Sequence, residues 1–310
     1  MYDTIVIGGG VAGLTSGIYT ARAGLSTLIL EGNVLGGQIV PADLVENFPG
    51  FEKISGYELS NKITEQTKKL GVEILQEKVD KVVLTEHTKD VYAGNKIFKA
   101  KTIIISTGAR YKQAGFFGEN EFNGRGVSYC ATCDGFFYKG KEVFVIGAGN
   151  SAVHGAIYLS GIADKVNVII RKDLFRCAKT MSDKLLSLSN VKVYFNTEVM
   201  SVNGDGFINE IVLKNNKTNE NYSYKTDKNF GVFVYVGSLP NTSMFKDEVL
   251  LDDVGYIVAD ESCKTNVPGV FCAGDVRTKM LRQLVTATSD GAVAAMQAEK
   301  YISSFDPCRF

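Results

Sequence analysis

TIVIGGGVAGLTSGIYTARAGLSTLILE (residues 4–31) reads as strand, glycine turn, helix and second strand. TIVIGG (4–9) is a β-rich run ending in glycines. GLTSGIYTARAG (13–24) has the apolar and small residues of a packed helix closed by Gly24, and STLILE (26–31) is a second buried run. Gly8, Gly10 and Gly13 form the spacing GxGxxG between strand and helix. Such glycines permit a tight turn, let a pyrophosphate approach the backbone, and let the helix pack close to the strand. The helix N-terminus adds free N–H groups and positive potential for the phosphates. Glu31, at the end of the second strand, can accept hydrogen bonds from both ribose hydroxyls, which calls for a ribose without a 2′-phosphate.

The unit recurs. EVFVIGAG (142–149), AVHGAIYLSGI (152–162) and KVNVIIRK (165–172) repeat strand, turn, helix and strand, with Gly147, Gly149 and Ala152 as GxGxxA. Here the second strand ends in Arg171 and Lys172, and Arg176 follows. Positive charge at that place suits a ribose 2′-phosphate, hence NADPH. Two sites of opposite charge logic call for FAD in the first and a nicotinamide nucleotide in the second. CAGD (272–275) supports the flavin, because Asp275 at a strand end can reach ribityl hydroxyls. Arg282 and Gln283 then open a long terminal helix (281–302) whose positive end can stabilise an anionic reduced flavin. KTIIISTGA (101–109) and GVFCAGDV (269–276) read as further strands, and 201–216 and 221–237 as antiparallel strand material.

Between the two glycine motifs lies CATCDG (130–135). Cys130 and Cys133 have the spacing of a reversible disulfide closed across one turn, with a thiolate stabilised at a helix start. Asp134 is placed to hold or donate a proton to the departing thiolate. Cys177, Cys263, Cys272 and Cys308 are scattered, and the two histidines, His87 and His154, lack ligand spacing, so no metal site is expected.

The 310 residues suffice for two domains. Lys plus Arg and Asp plus Glu number 34 each, which argues against a nucleic-acid surface. No apolar run is long enough to span a membrane, and the apolar N-terminus lacks a basic leader, so the chain is expected in the cytoplasm.

GGGVAG, GGQ (36–38), VENFPGF (45–51), STGA (106–109), CATCDGFFY (130–138), GAGNSA (147–152), VPGVFCAGDVR (267–277) and RQLVTATSDGA (282–292) together resemble the low-molecular-weight thioredoxin reductases. The resemblance runs along nearly the whole chain. It implies an α/β fold of two Rossmann-like dinucleotide-binding domains with three-layer ββα architecture, of the class II pyridine nucleotide-disulfide oxidoreductase type. It also implies a homodimer, and rotation of one domain against the other. By position, Gly10, Gly13, Glu31, Gln38, Asn47, Asp275, Arg282 and Gln283 would contact FAD, with Gly8 and Gly108 in the same turns. Cys133 would lie next to the flavin, Cys130 would attack thioredoxin, and Asp134 would be the acid–base residue. The expected domains are 1–113 with 244–310, and 114–243, with hinges near Gly115–Gly126 and Ser238–Asn241.

The second nucleotide site departs from the family pattern. Ile170-Arg171-Lys172-Asp173-Leu174-Phe175-Arg176 stands where His-Arg-Arg-x-x-x-Arg is usual, and His154-Gly155 replaces a Glu-Glu pair. Lys172 keeps the charge but not the bidentate fork of arginine. NADPH is favoured as donor because Arg171 and Arg176 remain, with reduced ferredoxin as the alternative. A flavin redox sensor without thioredoxin turnover is the reading from another class.

Overall fold

A computed structural model describes residues 1–85 and 88–305, so His87 and Cys308 lie outside the described residues. The chain divides into two compact units, Met1–Arg110 with Leu239–Phe310, and Tyr111–Ser238.

In the first unit, strand Tyr2–Ile7 pairs in parallel with Thr27–Leu30 on one side and Lys96–Ile105 on the other. Glu73–Leu75 extends the sheet past Thr27–Leu30, and Val270–Cys272 joins the far end of Lys96–Ile105, both in parallel. Ile5, Val6, Ile7, Ile103, Ile104 and Ile105 are all buried. Their runs are continuous rather than alternating because layers cover both faces of a parallel sheet. One layer consists of helices Val11–Arg22 and Leu284–Ser303, which meet the sheet through Ala12, Leu14, Ala294, Ala295 and Ala298. On the other face Val82, Val91, Phe245, Val249 and Ile257 close the core. This layer includes strands Lys81–Leu84 and Lys89–Ala93, the latter antiparallel to the first half of Lys96–Ile105.

The second unit has its own parallel sheet, in the order Val191–Tyr194, Lys165–Ile169, Glu142–Ile146, Gly231–Val234, Val127–Ser128. Helix Asn150–Ser160 covers one face through Ala152, Val153, Ala156 and Leu159. The antiparallel ribbon Thr197–Asp205, Phe207–Asn215 and Asn221–Lys225 covers the other through Val202, Ile208, Ile211 and Leu213.

Three expectations change. The stretch 221–237 is not antiparallel throughout: Gly231–Val234 is buried at every position and lies parallel between two strands of the central sheet. Its unbroken apolar run is that of a strand covered on both faces. The first passage between units falls at 110–111, not within Gly115–Gly126. Phe116 and Phe122, between those glycines, are anchored in the second core. Glu119, in the same segment, binds the N–H groups of Ala114 and Gly115 at 2.8 and 2.7 Å. The terminal helix starts at Leu284, not at 281, because Gln283 is extended and closes a capping box with Thr286. Among the described residues no helix is long and apolar enough to cross a membrane.

Candidate active site

The first glycine turn is a cradle made by close backbone approach. Gly8 has φ 107°, where an L side chain is strained, and a Cβ there would lie 2.5 Å from the Ser106 carbonyl oxygen. A Cβ on Gly13 would lie 1.9 Å from the carbonyl oxygen of Gly8, so helix and turn meet only because residue 13 has none. Gly10 sits at the helix N-cap, where a Cβ would meet only the Gly37 Cα, at 4.0 Å. Glu31 is buried at the edge of this turn. Its Oε2 accepts the Gly9 N–H at 2.6 Å and its Oε1 the Asn33 N–H at 2.7 Å. Each oxygen keeps a lone pair for a further donor. The Gln38 side-chain amide donates to the Ala109 carbonyl and lies 3.7 Å from the Cβ position of Gly108. Asn47 donates to Gln283 Oε1 at 3.3 Å.

Asp275 follows strand Val270–Cys272 in the same unit. Its Oδ1 is buried with no hydrogen-bond partner. Burial pushes this carboxyl above its ordinary range, an effect that Lys279 and Arg282 partly oppose. Arg282 stacks its guanidinium 4.0 Å from the Tyr256 ring centre and donates to the carbonyls of Asp275 and Arg277. Sequence reasoning gave no role to the support beneath. Asp290 accepts the Gly274 N–H at 2.9 Å, Arg277 at 3.0 Å and Lys279 at 2.7 Å, so one carboxylate from the terminal helix holds the turn that aims Asp275. Asp290 belongs to the quoted RQLVTATSDGA, but its partner lies 16 residues away and no local spacing reveals the pairing. A close-packed phosphate turn, a carboxylate at the ribose position and an orphaned buried acceptor fit FAD.

Cys130 and Cys133 are joined by a disulfide, with Cα atoms 5.3 Å apart. Ala131–Asp134 is a single helical turn whose N-cap is Cys130, and the Cys130 Sγ accepts the Cys133 N–H at 3.2 Å. Asp134, the last residue of this turn, accepts a 2.5 Å hydrogen bond from Ser128 Oγ. The same Ser128 oxygen accepts the Cys130 N–H at 3.0 Å. Burial raises the Asp134 carboxyl above its ordinary range and the Ser128 bond pulls it back. Asp134 makes no side-chain capping bond to the 3₁₀ turn Gly135–Tyr138 that follows it, so helix capping does not account for its placement. A half-buried carboxyl raised above its ordinary range, in the same turn as a disulfide, is suited to holding and giving a proton there. Ser128, too, went unassigned in the sequence.

The second glycine turn is built like the first. Gly147 has φ 145°, and a Cβ there would lie 2.4 Å from the Tyr235 carbonyl oxygen; Gly149 has open space, and Ala152 is buried. The Arg176 N–H donates to the Ala148 carbonyl at 2.7 Å, which ties the basic segment to the turn. Arg171, Lys172 and Arg176 are exposed. His154 is exposed on the helix, whereas Gly155 is buried against the Tyr235 ring. Among the described residues no three His, Cys, Asp or Glu side chains gather as a metal set.

Two dinucleotide-type turns in two separate units, with a redox disulfide in one of them, define a flavin-type disulfide oxidoreductase fold. The chain belongs to the pyridine nucleotide-disulphide oxidoreductase family, whose pattern matches residues 2–291. Within it, the chain is 42% identical over 308 residues to the thioredoxin reductase of Peptoclostridium acidaminophilum, covering 98% of each chain. Among solved structures it matches the thioredoxin reductase of Streptococcus pyogenes at 40% identity and a TM-score of 0.93, over 98% of this chain and 99% of that one. A ferredoxin-flavin thioredoxin reductase from Clostridium acetobutylicum matches at 30% identity and a TM-score of 0.53, over 98% of each chain. Thioredoxin reduction is the function these findings assign.

Proposed function

We propose that FAD bound in the first unit and the Cys130–Cys133 pair of the second carry the electrons to thioredoxin, with NADPH as the donor. The observation that carries the flavin assignment is the buried, unpartnered Asp275 Oδ1 beside the glycine cradle. FAD supplies two-electron chemistry able to accept from a nicotinamide and to reduce a disulfide. Gly8, Gly10 and Gly13 admit the pyrophosphate, Glu31 takes the ribose hydroxyls, and Asp275 takes the ribityl chain. Gln38, Asn47, Gly108, Arg282 and Gln283 complete the walls.

In the reduced pair, the Cys130 thiolate attacks a sulfur of the thioredoxin disulfide. A mixed disulfide forms and one thioredoxin thiolate leaves. Cys133 then attacks the Cys130 sulfur, releasing the second thioredoxin thiolate and restoring the Cys130–Cys133 bond. The Cys133 N–H directed at Cys130 Sγ stabilises the attacking thiolate. Asp134 gives a proton to the first departing thioredoxin thiolate and recovers one from the Cys133 thiol as that sulfur attacks. A homodimer working in the cytoplasm is part of this reading.

The open space at Gly149 and the basic side chains of Arg171, Lys172 and Arg176 support NADPH. Reduced ferredoxin is the second reading, favoured by the replacement at His154-Gly155 and by the likeness to the ferredoxin-flavin thioredoxin reductase of Clostridium acetobutylicum. Anaerobic mixing of oxidised enzyme with NADPH, and separately with reduced ferredoxin, separates them. With NADPH as donor, flavin bleaching is fast, and Arg171→Ala raises the NADPH requirement roughly tenfold or more while leaving NADH unaffected, since a charge-assisted phosphate contact is worth about 1.5–3 kcal/mol. Bleaching by ferredoxin alone overturns the NADPH assignment.

A further inference from the structure

His154-Gly155, where the sequence leaves the family pattern, has a packing consequence in the second unit. A Cβ on Gly155 would lie 2.7, 2.8 and 2.9 Å from the Cε2, Cζ and hydroxyl oxygen of Tyr235. The bare helix backbone at 155 is therefore what makes room for this ring. Tyr235 directly follows strand Gly231–Val234, and its carbonyl oxygen lies against the Gly147 turn. At the other end of the ring, the hydroxyl oxygen accepts the Ala131 N–H at 2.7 Å. One side chain thus spans from the glycine turn and its helix to Ala131, the first of the two residues between the active-site cysteines.

That N–H is a group the disulfide turn cannot satisfy by itself. Ala131 is the first residue of the helical turn, and an N-cap side chain reaches the amides of the second and third residues, not of the first. Cys130 Sγ accordingly takes the third, Cys133 N–H, at 3.2 Å. Ala131 is 2% exposed, so its amide is shut away from water. A buried amide without an acceptor is costly, and the turn would shift to find one. Tyr235 removes that need, so Cys133 N–H stays directed at Cys130 Sγ. Burial raises the Tyr235 hydroxyl to about 12, so it remains a neutral acceptor through the working pH range.

We propose that Tyr235 is a positioning residue for thiol–disulfide exchange: its hydroxyl holds the Ala131 N–H and so fixes the turn that presents Cys130 as a thiolate. The inference rests on the reading of Cys130–Cys133 as the exchanging pair. The Tyr235 hydroxyl meets the turn at the Ala131 N–H, and its effect is exerted through that backbone.

The test uses the flavin-loaded enzyme, reduced, with iodoacetamide alkylation followed against pH and thioredoxin turnover measured in parallel. Tyr235→Phe keeps the ring against Gly155 and deletes the hydroxyl. The alkylation profile of Cys130 should move to higher pH, and kcat with thioredoxin should fall about three- to tenfold, the range one buried hydrogen bond commands, with KM unchanged. Gly155→Ala leaves the hydroxyl present but displaces the ring, and should shift the profile the same way. Since alanine is the better helix former, this variant reports positioning rather than loss of helix. Tyr224→Phe, which removes a tyrosyl hydroxyl bonded to Glu142 at 2.5 Å in the same unit, is the control and should leave the profile in place. An unshifted profile in Tyr235→Phe and Gly155→Ala overturns the proposal, as does an equal shift in the control. Cys130→Ser in the same assay separates the two readings. If it retains thioredoxin turnover, the dithiol assignment has failed; if it loses turnover while Tyr235→Phe is unchanged, only the role of Tyr235 has failed.

Discussion

Asp275→Asn should act in opposite directions on the empty and the flavin-bound protein. The Asp275 carboxylate is desolvated and its Oδ1 has no hydrogen-bond partner within the protein. Its titration is raised by burial in spite of Lys279 and Arg282 nearby, so the pocket as a whole disfavours the charge. A group with a raised folded-state pKa stabilises the fold most below its unfolded pKa, and that stabilisation is lost as pH rises through the folded value. The neutral amide should therefore leave the FAD-free protein more stable than wild type at alkaline pH, with the difference vanishing below about pH 3, where the wild-type carboxyl is neutral in both the folded and the unfolded chain. Flavin affinity should move the other way. Exchanging a charge-assisted hydrogen bond from a ribityl hydroxyl for a neutral one forfeits at most about 3 kcal/mol, so FAD should bind more weakly by up to roughly 150-fold. Denaturant unfolding at a series of FAD concentrations and two pH values reads both quantities from one experiment. FAD affinity within twofold of wild type, or a loss of FAD-free stability at alkaline pH, would refute the role given to Asp275.

Cys130→Ser should abolish thioredoxin turnover while FAD remains bound at full stoichiometry, because the glycine cradle and Asp275 belong to the other unit; turnover assay and flavin absorbance check it. Asp134→Asn should lower thioredoxin turnover about 100-fold, as loss of a general acid does, and leave anaerobic flavin reduction at its wild-type rate. It should also flatten the fall in rate with rising pH, since a general acid is lost as its carboxyl deprotonates and the carboxyl that titrates above the ordinary range is gone. Turnover unchanged at every pH would remove Asp134 from the proton path.

Local features were legible in the sequence because their physics is local. A parallel strand buried on both faces announces itself as an unbroken apolar run, as in TIVI at 4–7 and EVFVI at 142–146. The glycine turns are likewise read from spacing, since tight backbone approach at Gly8, Gly13 and Gly147 leaves glycine as the residue that fits. A disulfide across three residues needs no tertiary information to be suspected. Misreadings arose where a neighbour far along the chain decides the outcome. Gly231–Val234 carries no mark of which strands flank it, and Phe116 and Phe122 between two glycines become core only because the antiparallel ribbon covers them.

The sequence by itself therefore determined the two dinucleotide-type units, the acid at 31 that closes the first glycine turn and the paired cysteines, all set by residues within about one βαβ unit of each other. The supports of the site came from tertiary structure alone. Asp290 reaches Gly274 from a different element, Ser128 joins the backbone of Cys130 to Asp134, and Tyr235 reaches Ala131 across 104 residues of chain. Each is an ordinary polar side chain in sequence. Each acquires its role because folding buries a backbone N–H or a carboxyl away from water and leaves that one side chain to satisfy it.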